Sequence, residues 1–223
     1  LEFFNTIETI AKEKLSLFDE IPANGVIYQN LDNPFIAQYE RRNLTTITYS
    51  MNKDADIHGE LINLDNTGCP RFKLNDKTEI QLKIAGLHNI NNALAAAAVA
   101  RQFGFSYEEI KSGLESFIAY SKRMQIIKDK GITFINDAYN ANPSSMTAAF
   151  NTVSAMTKKG KIYLVLGDMF ELGEYAHQLH RDVLINALGI NPDLICVMGH
   201  YMIDAAESIN GNSLNRIERF DSH

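Results

Sequence analysis

Apolar residues recur at helical spacing near the start of the chain, and this pattern predicts an amphipathic helix that ends near Asp19. The recurring apolar positions are Ile7, Ile10, Ala11 and Phe18. Asn5 and Glu8 have the three-residue spacing of a capping box, so we expect the helix to begin there.

Short apolar runs at 26–28 and 45–49 predict two strands, the first of them entered through the turn sequence "PANG". Between Ile57 and Ile84 apolar and polar residues alternate, and "DNTGCP" and "LNDKT" interrupt the alternation. Because such breaks are typical of hairpin turns, we expect this part of the chain to be antiparallel.

The sequence "NNALAAAAVARQFG" predicts the strongest helix, since alanine favours helices and Gly104 suits a left-handed cap. Ser106 and Glu109 predict a capping box for the next helix. After "YSKRM", predicted strands alternate with helices that begin at Ser144, near His177 and at Tyr201. The predicted strands are 132–136, 162–166, 194–198 and 216–220. The alternation predicts an α/β fold with a doubly wound, mostly parallel sheet.

A charge-rich segment, "KRMQIIKDKG", separates the two patterns and predicts a domain boundary near residues 122–131. We therefore expect one domain at 1–122, with the antiparallel hairpin region, and a Rossmann-like domain at 123–223.

Composition narrows the class of protein. The chain has 223 residues, 45% of them hydrophobic and 22% charged, which allows one large or two modest domains. Its net charge of −6 excludes the basic face of a nucleic-acid-binding protein. Cys69 and Cys196 have neither a CxxC nor a metal-binding spacing, which favours a reducing, cytoplasmic location. No apolar run is long enough for membrane insertion.

The stretch "NDAYNANPSSM" follows the predicted strand 132–136, at the end of a strand where open parallel sheets bind ligands. Asp137 can accept from ribose hydroxyls or help to hold a metal, and Asn140 and Asn142 each offer a donor and an acceptor. Pro143 and the serines after it would open a helix whose free N–H groups attract an anion. The alternative is that these residues only form a turn and cap a helix.

A second polar stretch, "VLGDMFELGE", follows the next predicted strand and carries Asp168, Glu171 and Glu174. Two polar loops on neighbouring strands favour a ligand site, although a solvated acidic loop is the alternative.

The first predicted domain contains two further candidate sites, a lysine in the first helix and a polar cluster at the start of the alanine-rich helix. On a helical wheel of about 100° per residue, Lys14 falls within the apolar stripe of the first helix, whereas Lys12 falls on the polar side. A desolvated lysine would have a lowered pKa, but a snorkelling lysine is an equal alternative. His88, Asn89 and Asn92 crowd the start of the alanine-rich helix, where an asparagine amide matches the hydrogen-bonding edge of adenine.

Arg123, in the charge-rich segment between the two patterns, can bind phosphate through two hydrogen bonds, and a plain surface arginine is the alternative.

Four motifs in this order, "HNINNALAAAAVA", "KRM", "NDAYNANPSSM" and "VLGDMFELGE", resemble the Mur ligase family. The resemblance is strongest to the branch that adds D-alanyl-D-alanine to UDP-N-acetylmuramoyl tripeptide, and it is weakest at 30–80. It implies ATP-dependent amide formation through an acyl phosphate, with Mg²⁺ as cofactor and these two molecules as substrates. A cytoplasmic monomer is expected.

The resemblance also implies roles for individual residues. Lys14 would be carbamylated by CO2 and bind the metal, His88 or Asn89 with Asn92 would hold adenine, and Asp137 would bind the ribose. Arg123 would bind the phosphates, and Asn140 and Asn142 would belong to the closed active site. Glu171 and Leu172 would lie near the incoming dipeptide.

The sequence also departs from the family. Members carry a GxxGKT-type phosphate loop and a UDP-binding domain, whereas the Gly160-Lys161 pair here has no glycine-rich lead-in. We therefore expect an internal piece of a ligase, with a truncated C-terminal domain and no ligase activity alone.

Several alternatives remain. A nicotinamide or flavin enzyme is disfavoured because no GxGxxG follows a strand. A non-catalytic nucleotide-binding module and other Mur-type or folylpolyglutamate-like ligases stay open.

Overall fold

The computed structural model describes residues 6–40, 43–118, 121–156, 160–209 and 215–220, and every structural statement below refers to these residues. The chain divides into two compact units, one spanning Phe4–Ala119 and the other consisting mainly of Tyr120–His223. None of the helices in the described ranges is long and apolar enough to cross a membrane.

The first unit is built on one five-stranded mixed sheet of order β1-β2-β3-β4-β5. Its elements are α1 (Ile7–Asp19), β1 (Val26–Asn30), α2 (Pro34–Ala37), β2 (Thr45–Ser50), β3 (Ile57–Leu64), β4 (Pro70–Leu74), β5 (Thr78–Gln81), α3 (His88–Gln102) and α4 (Tyr107–Ser116). Strands β1, β2 and β3 are parallel, and β3, β4 and β5 are antiparallel. The predicted antiparallel region is therefore confirmed.

The turn between β4 and β5 explains why this part of the chain forms a hairpin. Asn75 and Asp76 both have positive φ, at 48° and 54°. The Lys77 N–H donates to the Leu74 carbonyl at 3.0 Å. Two central residues with positive φ define the turn whose twist suits antiparallel strands, and asparagine and aspartate tolerate it well.

Helix α3 packs closely on the sheet because its buried face is made of small and branched residues. That face consists of Ile90, Ala93, Leu94, Ala97 and Ala98. A Cβ added to Gly59 in β3 would lie 2.9 Å from Leu94 Cδ2, so glycine is what allows this approach. Phe72, Leu74 and Ile80 of β4 and β5 are fully buried and complete the core under α3.

Helix α1 begins one residue later than predicted. The Thr6 hydroxyl accepts from the Thr9 N–H at 3.1 Å and caps the helix. The expected capping residue Asn5 lies outside the described residues.

The second unit contains a three-stranded parallel sheet of order β10-β9-β8 and a separate two-stranded hairpin. Its elements are β6 (Gln125–Asp129), β7 (Ile132–Asn136), α5 (Pro143–Ala155), β8 (Tyr163–Leu166), a 3-10 turn (Gly173–Tyr175), α6 (Ala176–Gly189), β9 (Leu194–Met198), α7 (His200–Glu207) and β10 (Ile217–Phe220). The parallel strands with intervening helices confirm the predicted α/β fold class.

One strand does not lie where the sequence placed it. β7 was expected to lead the parallel sheet, but it pairs antiparallel with β6. Lys130 and Gly131, both with positive φ, form a two-residue turn between β6 and β7. The expectation that the loops after β7 and β8 follow neighbouring strands of one sheet is therefore wrong for the described residues.

Candidate active site

The segments Lys122–Met124 and Asp137–Tyr139 are joined by two hydrogen bonds donated by backbone N–H groups, and we call this pair of segments the joint. The Tyr139 N–H donates to the Lys122 carbonyl at 3.0 Å. The Met124 N–H donates to Asp137 Oδ1 at 2.9 Å. Arg123 Cζ lies 4.1 Å from the centre of the Tyr139 ring. The structure therefore places Arg123 and Asp137 in two adjoining segments of the second unit.

The backbone on either side of Arg123 is strained. Lys122 and Met124 have φ of 63° and 46°, a region that costs a non-glycine residue about 1–3 kcal/mol. Burial of the Met124 side chain and the two contacts of the joint hold this conformation. Strain of this kind is concentrated at functional sites, which favours a role for the joint beyond packing.

Asn142 is a helix cap, so the turn-and-cap alternative is correct for this residue. Its Oδ1 accepts from the Ser145 N–H at 2.9 Å, and Ser145 Oγ accepts from the Asn142 N–H at 3.1 Å. Pro143 occupies the first turn of α5, as predicted. Because the Ser145 N–H is used by the cap, the expectation that it is open to an anion is wrong. Asn140 is exposed and presents its amide to solvent.

The loop after β8 is anchored by Asp168. This carboxylate accepts from the Met202 N–H at 2.8 Å and from the Tyr201 N–H at 3.3 Å, at the start of α7. Gly199 has a φ of 94°, and a Cβ there would lie 2.5 Å from Asp168 Cγ. Asp168 is thus a structural carboxylate rather than part of a solvated acidic loop.

The same loop separates Glu171 from Leu172. Glu171 is exposed and has a φ of 61°. The Leu172 side chain is only 6% exposed and belongs to the core of the second unit. The Leu172 side chain is therefore closed to a ligand. Between Asp168 and Leu172, the exposed aromatic residue is Phe170.

His180 holds this loop from inside the core, and the sequence analysis did not identify it. Its Nε2 accepts from the Met169 N–H at 2.8 Å, so Nδ1 carries the proton and donates to the Ala176 carbonyl at 2.7 Å. The ring is therefore neutral, and its 3.8 Å separation from Asp168 Oδ1 is not an ion pair. A lone histidine in a helix gives no sequence signal for this role.

At the start of α3, three predicted residues form a chain of hydrogen bonds. Asn89 is buried and donates from Nδ2 to the Ala85 carbonyl at 2.7 Å and to His88 Nε2 at 3.2 Å. Asn92 Nδ2 donates to Asn89 Oδ1 at 3.0 Å. Asn89 is therefore engaged inside the protein, whereas His88 and Asn92 are exposed. Of the two asparagines, only Asn92 can meet a ligand directly.

Lys14 is exposed, and α1 has no buried residue. Of the two alternatives for Lys14, the desolvated lysine is therefore wrong, because the described contacts of α1 involve other residues of the helix. Phe18 meets the Tyr39 ring edge-on at 5.0 Å. A groove of about 430 Å³ runs beside Ala11 and Leu15. On the helical wheel, Lys14 lies about 65° from the mean direction of Ala11, Leu15 and Phe18.

A polar cluster at the ends of β1 and β2 also escaped the sequence analysis. Asp32 accepts from Ser50 Oγ at 2.6 Å, from the Met51 N–H at 2.8 Å and from the Asn52 N–H at 3.2 Å. Burial alone would raise the pKa of Asp32, but these hydrogen bonds outweigh it and hold the pKa below its ordinary value. The signal was present, since "NLDNP" resembles "NDAYNANP" in placing Asp, Asn and Pro directly after a strand.

In the described part of the chain, no three His, Cys, Asp or Glu side chains cluster as ligands for a metal ion.

Known protein families match both halves of the chain. The sequence profile of the Mur ligase middle domain matches residues 1–100, and that of the Mur ligase, glutamate ligase domain matches residues 122–222. The UDP-N-acetylmuramoyl-tripeptide–D-alanyl-D-alanine ligase of Mycobacterium tuberculosis (strain ATCC 25618 / H37Rv) is 32% identical over 206 residues, which are 88% of this chain and 40% of that protein. The ligase of that name from Bacillus subtilis (strain 168) is 32% identical over 189 residues, which are 84% of this chain and 40% of that protein.

The crystal structure of MurF from Acinetobacter baumannii superimposes with a TM-score of 0.84 at 27% identity, covering 98% of this chain and 47% of that one. The chain spans less than half the length of each of these relatives. The two family profiles together leave few residues of the chain unmatched, and they follow each other in the order of the two compact units. The chain belongs to the Mur ligase family.

Proposed function

We propose that this chain is part of an ATP-dependent ligase that joins D-alanyl-D-alanine to UDP-N-acetylmuramoyl tripeptide during peptidoglycan precursor synthesis. The observation that carries the proposal is the joint, where Arg123 and Asp137 lie in two segments that hydrogen bonds tie together. The 32% identity to ligases with these substrates in their names supports the choice of tripeptide and dipeptide.

Each nucleotide contact is assigned to a residue that can make it. Arg123 is exposed, and its guanidinium can bind phosphate oxygens through two parallel hydrogen bonds. The carboxylate of Asp137 is the proposed acceptor for ribose hydroxyls. In the first unit, Asn92 offers its amide to the adenine edge, while Asn89 and His88 hold Asn92 in place.

In the proposed reaction, the terminal carboxylate of the tripeptide attacks the γ-phosphate of ATP, the bond from that phosphorus to the bridging oxygen breaks, and ADP leaves. The amine of the dipeptide then attacks the carbonyl carbon of the acyl phosphate, and phosphate and a proton are released as the amide forms. Both steps gather negative charge on oxygen, so positive groups and N–H donors accelerate them. Arg123 supplies a charge and Asn140 supplies an exposed amide donor. We expect Mg²⁺ to accompany the ATP and reduce its charge further.

The dipeptide is assigned to the loop after β8. This loop is fixed by Asp168 at one end and by the buried Leu172 at the other, so the residues between them are held in one conformation. Glu171 is exposed there and can attract the ammonium group of the incoming dipeptide. Asn142 acts indirectly, by fixing the start of α5 beside Asn140.

Carbamylation of Lys14 remains a proposal that rests on the family resemblance of "IAKEKLSLF". The exposed amine is open to CO2, and a carbamate would add an oxygen ligand for Mg²⁺. Mass spectrometry of the peptide containing Lys14, prepared with and without bicarbonate, tests it. A CO2 adduct is expected on Lys14 and not on Lys12, which is also exposed; adducts on both residues, or on neither, would contradict the metal role.

The cytoplasm is the proposed compartment, because both cysteines are free thiols.

The choice of amine substrate tests the proposed function. The full reading frame that contains this chain is supplied with ATP, Mg²⁺ and one pair of acceptor and amine at a time, and product is identified by mass. UDP-N-acetylmuramoyl tripeptide is paired with D-alanyl-D-alanine, UDP-N-acetylmuramate with L-alanine, and the acceptors carrying one and two residues with D-glutamate and diaminopimelate. Ligation is expected with D-alanyl-D-alanine and not with D-glutamate, diaminopimelate or L-alanine. Product with one of the single amino acids instead would assign the chain to another Mur-type ligase. ATP binding without ligation of any amine would favour a non-catalytic nucleotide-binding module.

A further inference from the structure

We propose that Tyr139 is the positioning residue for Arg123 and holds its guanidinium ready for an anionic ligand, the polyphosphate of a nucleotide. The inference rests on the proposed function and adds a residue to it. Tyr139 itself makes no contact with the phosphates in this proposal; it acts through Arg123.

The contact between the two side chains is close but lies in solvent. Arg123 Cζ is 4.1 Å from the centre of the Tyr139 ring, whereas the ring is 64% exposed. Because so much of the ring is in water, burial of Tyr139 does not explain why an aromatic residue stands here. The face that it presents to Arg123 is the part of the ring with a specific partner.

Stacking leaves the binding edge of the arginine available. All five N–H donors of a guanidinium lie in its own plane, so a ring beneath that plane does not compete for them. A carboxylate partner would instead occupy the same donors that phosphate needs. An aromatic ring is therefore a suitable support for an arginine that has to bind an anion.

The backbone fixes the ring relative to the arginine. The Tyr139 N–H bond to the Lys122 carbonyl ties the two residues across the joint, and the Met124 bond to Asp137 makes a second tie. Lys122 and Met124, both at positive φ, direct the chain on either side of Arg123. The ring and the guanidinium thus extend from backbone segments that are held in one conformation. This lowers the conformational entropy that is lost when phosphate binds.

The expected effect is modest and measurable. A cation–π contact at an exposed site corresponds to about a two- to five-fold change in affinity. We therefore expect Tyr139→Leu to raise the KM for ATP about two- to five-fold in the full reading frame that contains this chain. The KM for the dipeptide and the melting temperature are expected to stay unchanged.

Three further variants separate this role from others. Tyr139→Phe keeps the ring and is expected to behave as the unsubstituted protein. Tyr163→Leu removes a tyrosine of similar exposure, 59%, from β8 and serves as the matched control, with no change in either KM. Arg123→Ala is expected to weaken ATP binding by itself, and adding Tyr139→Leu to it is expected to cause no further loss. That non-additivity is the signature of a residue acting through its neighbour.

Inorganic tripolyphosphate and adenosine, used as competitive inhibitors, identify which part of the nucleotide is involved. Tyr139→Leu is expected to weaken inhibition by tripolyphosphate about two- to five-fold and to leave adenosine unaffected. The reverse result would mean that the ring stacks on the base, which would overturn the proposal. Equal losses from Tyr139→Phe and Tyr139→Leu, or additive losses with Arg123→Ala, would also overturn it.

The outcome is independent of the amine test. If the protein ligates one of the other amines but not D-alanyl-D-alanine, and tripolyphosphate inhibition of that reaction responds as expected, the proposed function fails and the role of Tyr139 stands. If ligation occurs and the tripolyphosphate response is absent, only the role of Tyr139 fails.

Discussion

Replacing Gly199 by alanine tests how the loop after β8 is held. The new Cβ would lie 2.5 Å from Asp168 Cγ and 2.6 Å from both of its oxygens, so the carboxylate has to move away from the start of α7. Moving it weakens the hydrogen bonds from the Met202 and Tyr201 N–H groups. Alanine must also adopt the φ of 94° that glycine has at this position.

Three terms set the expected change in the free energy of unfolding. A hydrogen bond to a charged acceptor contributes about 1.5–3 kcal/mol, and a left-handed conformation costs a non-glycine residue about 1–3 kcal/mol. Alanine recovers about 0.4–1 kcal/mol by restricting the unfolded chain. The free energy of unfolding of the second unit is therefore expected to fall by about 2–5 kcal/mol.

Urea unfolding measures the loss, and amide hydrogen exchange at Tyr201 and Met202 locates it. Gly189→Ala is the matched control, because Gly189 ends α6 in the same unit and a Cβ there would meet nothing within 4 Å. This control is expected to change stability by less than about 1 kcal/mol, in the stabilising direction. Equal effects of the two substitutions, or unchanged exchange at the start of α7, would refute the role given to Asp168.

Three other outcomes follow from the structure. Leu172→Ala is expected to destabilise the second unit by about 2–5 kcal/mol in urea unfolding, because the side chain is in the core. Unchanged stability together with a raised KM for the dipeptide would contradict this. Asn142→Ala is expected to cost about 1 kcal/mol and Asn142→Ser much less, since serine also caps a helix; equal losses would rule out the cap. Because the pKa of Asp32 is lowered in the folded state, its contribution is present above the unfolded value of about 4 and is lost as pH falls through the folded pKa. Asp32→Asn is expected to reduce the dependence of the free energy of unfolding on pH in this acidic range. Urea unfolding at several pH values measures that dependence, and an unchanged slope would refute the role of Asp32.

Elements with a strong local signal were predictable from the sequence. The alanine-rich α3, the hairpin of β4 and β5 and the alternation from β8 to β10 follow from side-chain period, helix propensity and turn residues, which act over a few positions. The family motifs pointed to Arg123 and Asp137, and the structure places both in the joint.

Features that depend on distant contacts were not predictable in the same way. A helical wheel gives the angle of Lys14 but not which side of α1 another element covers. The apolar run "ITFIN" predicts a strand equally well in the parallel sheet and in a hairpin. The turn at Lys130 and Gly131 makes it pair with β6. Leu172 and Glu171 are adjacent in a polar loop, yet the Leu172 side chain lies in the core of the second unit and Glu171 is exposed.

The most direct test of the proposed ligase chemistry uses a tripeptide substrate labelled with oxygen-18 in its terminal carboxylate. The full reading frame that contains this chain is incubated with it, ATP, Mg²⁺ and D-alanyl-D-alanine, and the released phosphate is analysed by mass. Activation through an acyl phosphate predicts that one labelled oxygen appears in the phosphate for each amide bond formed. Amide product with unlabelled phosphate, or phosphate release without amide product, would contradict it.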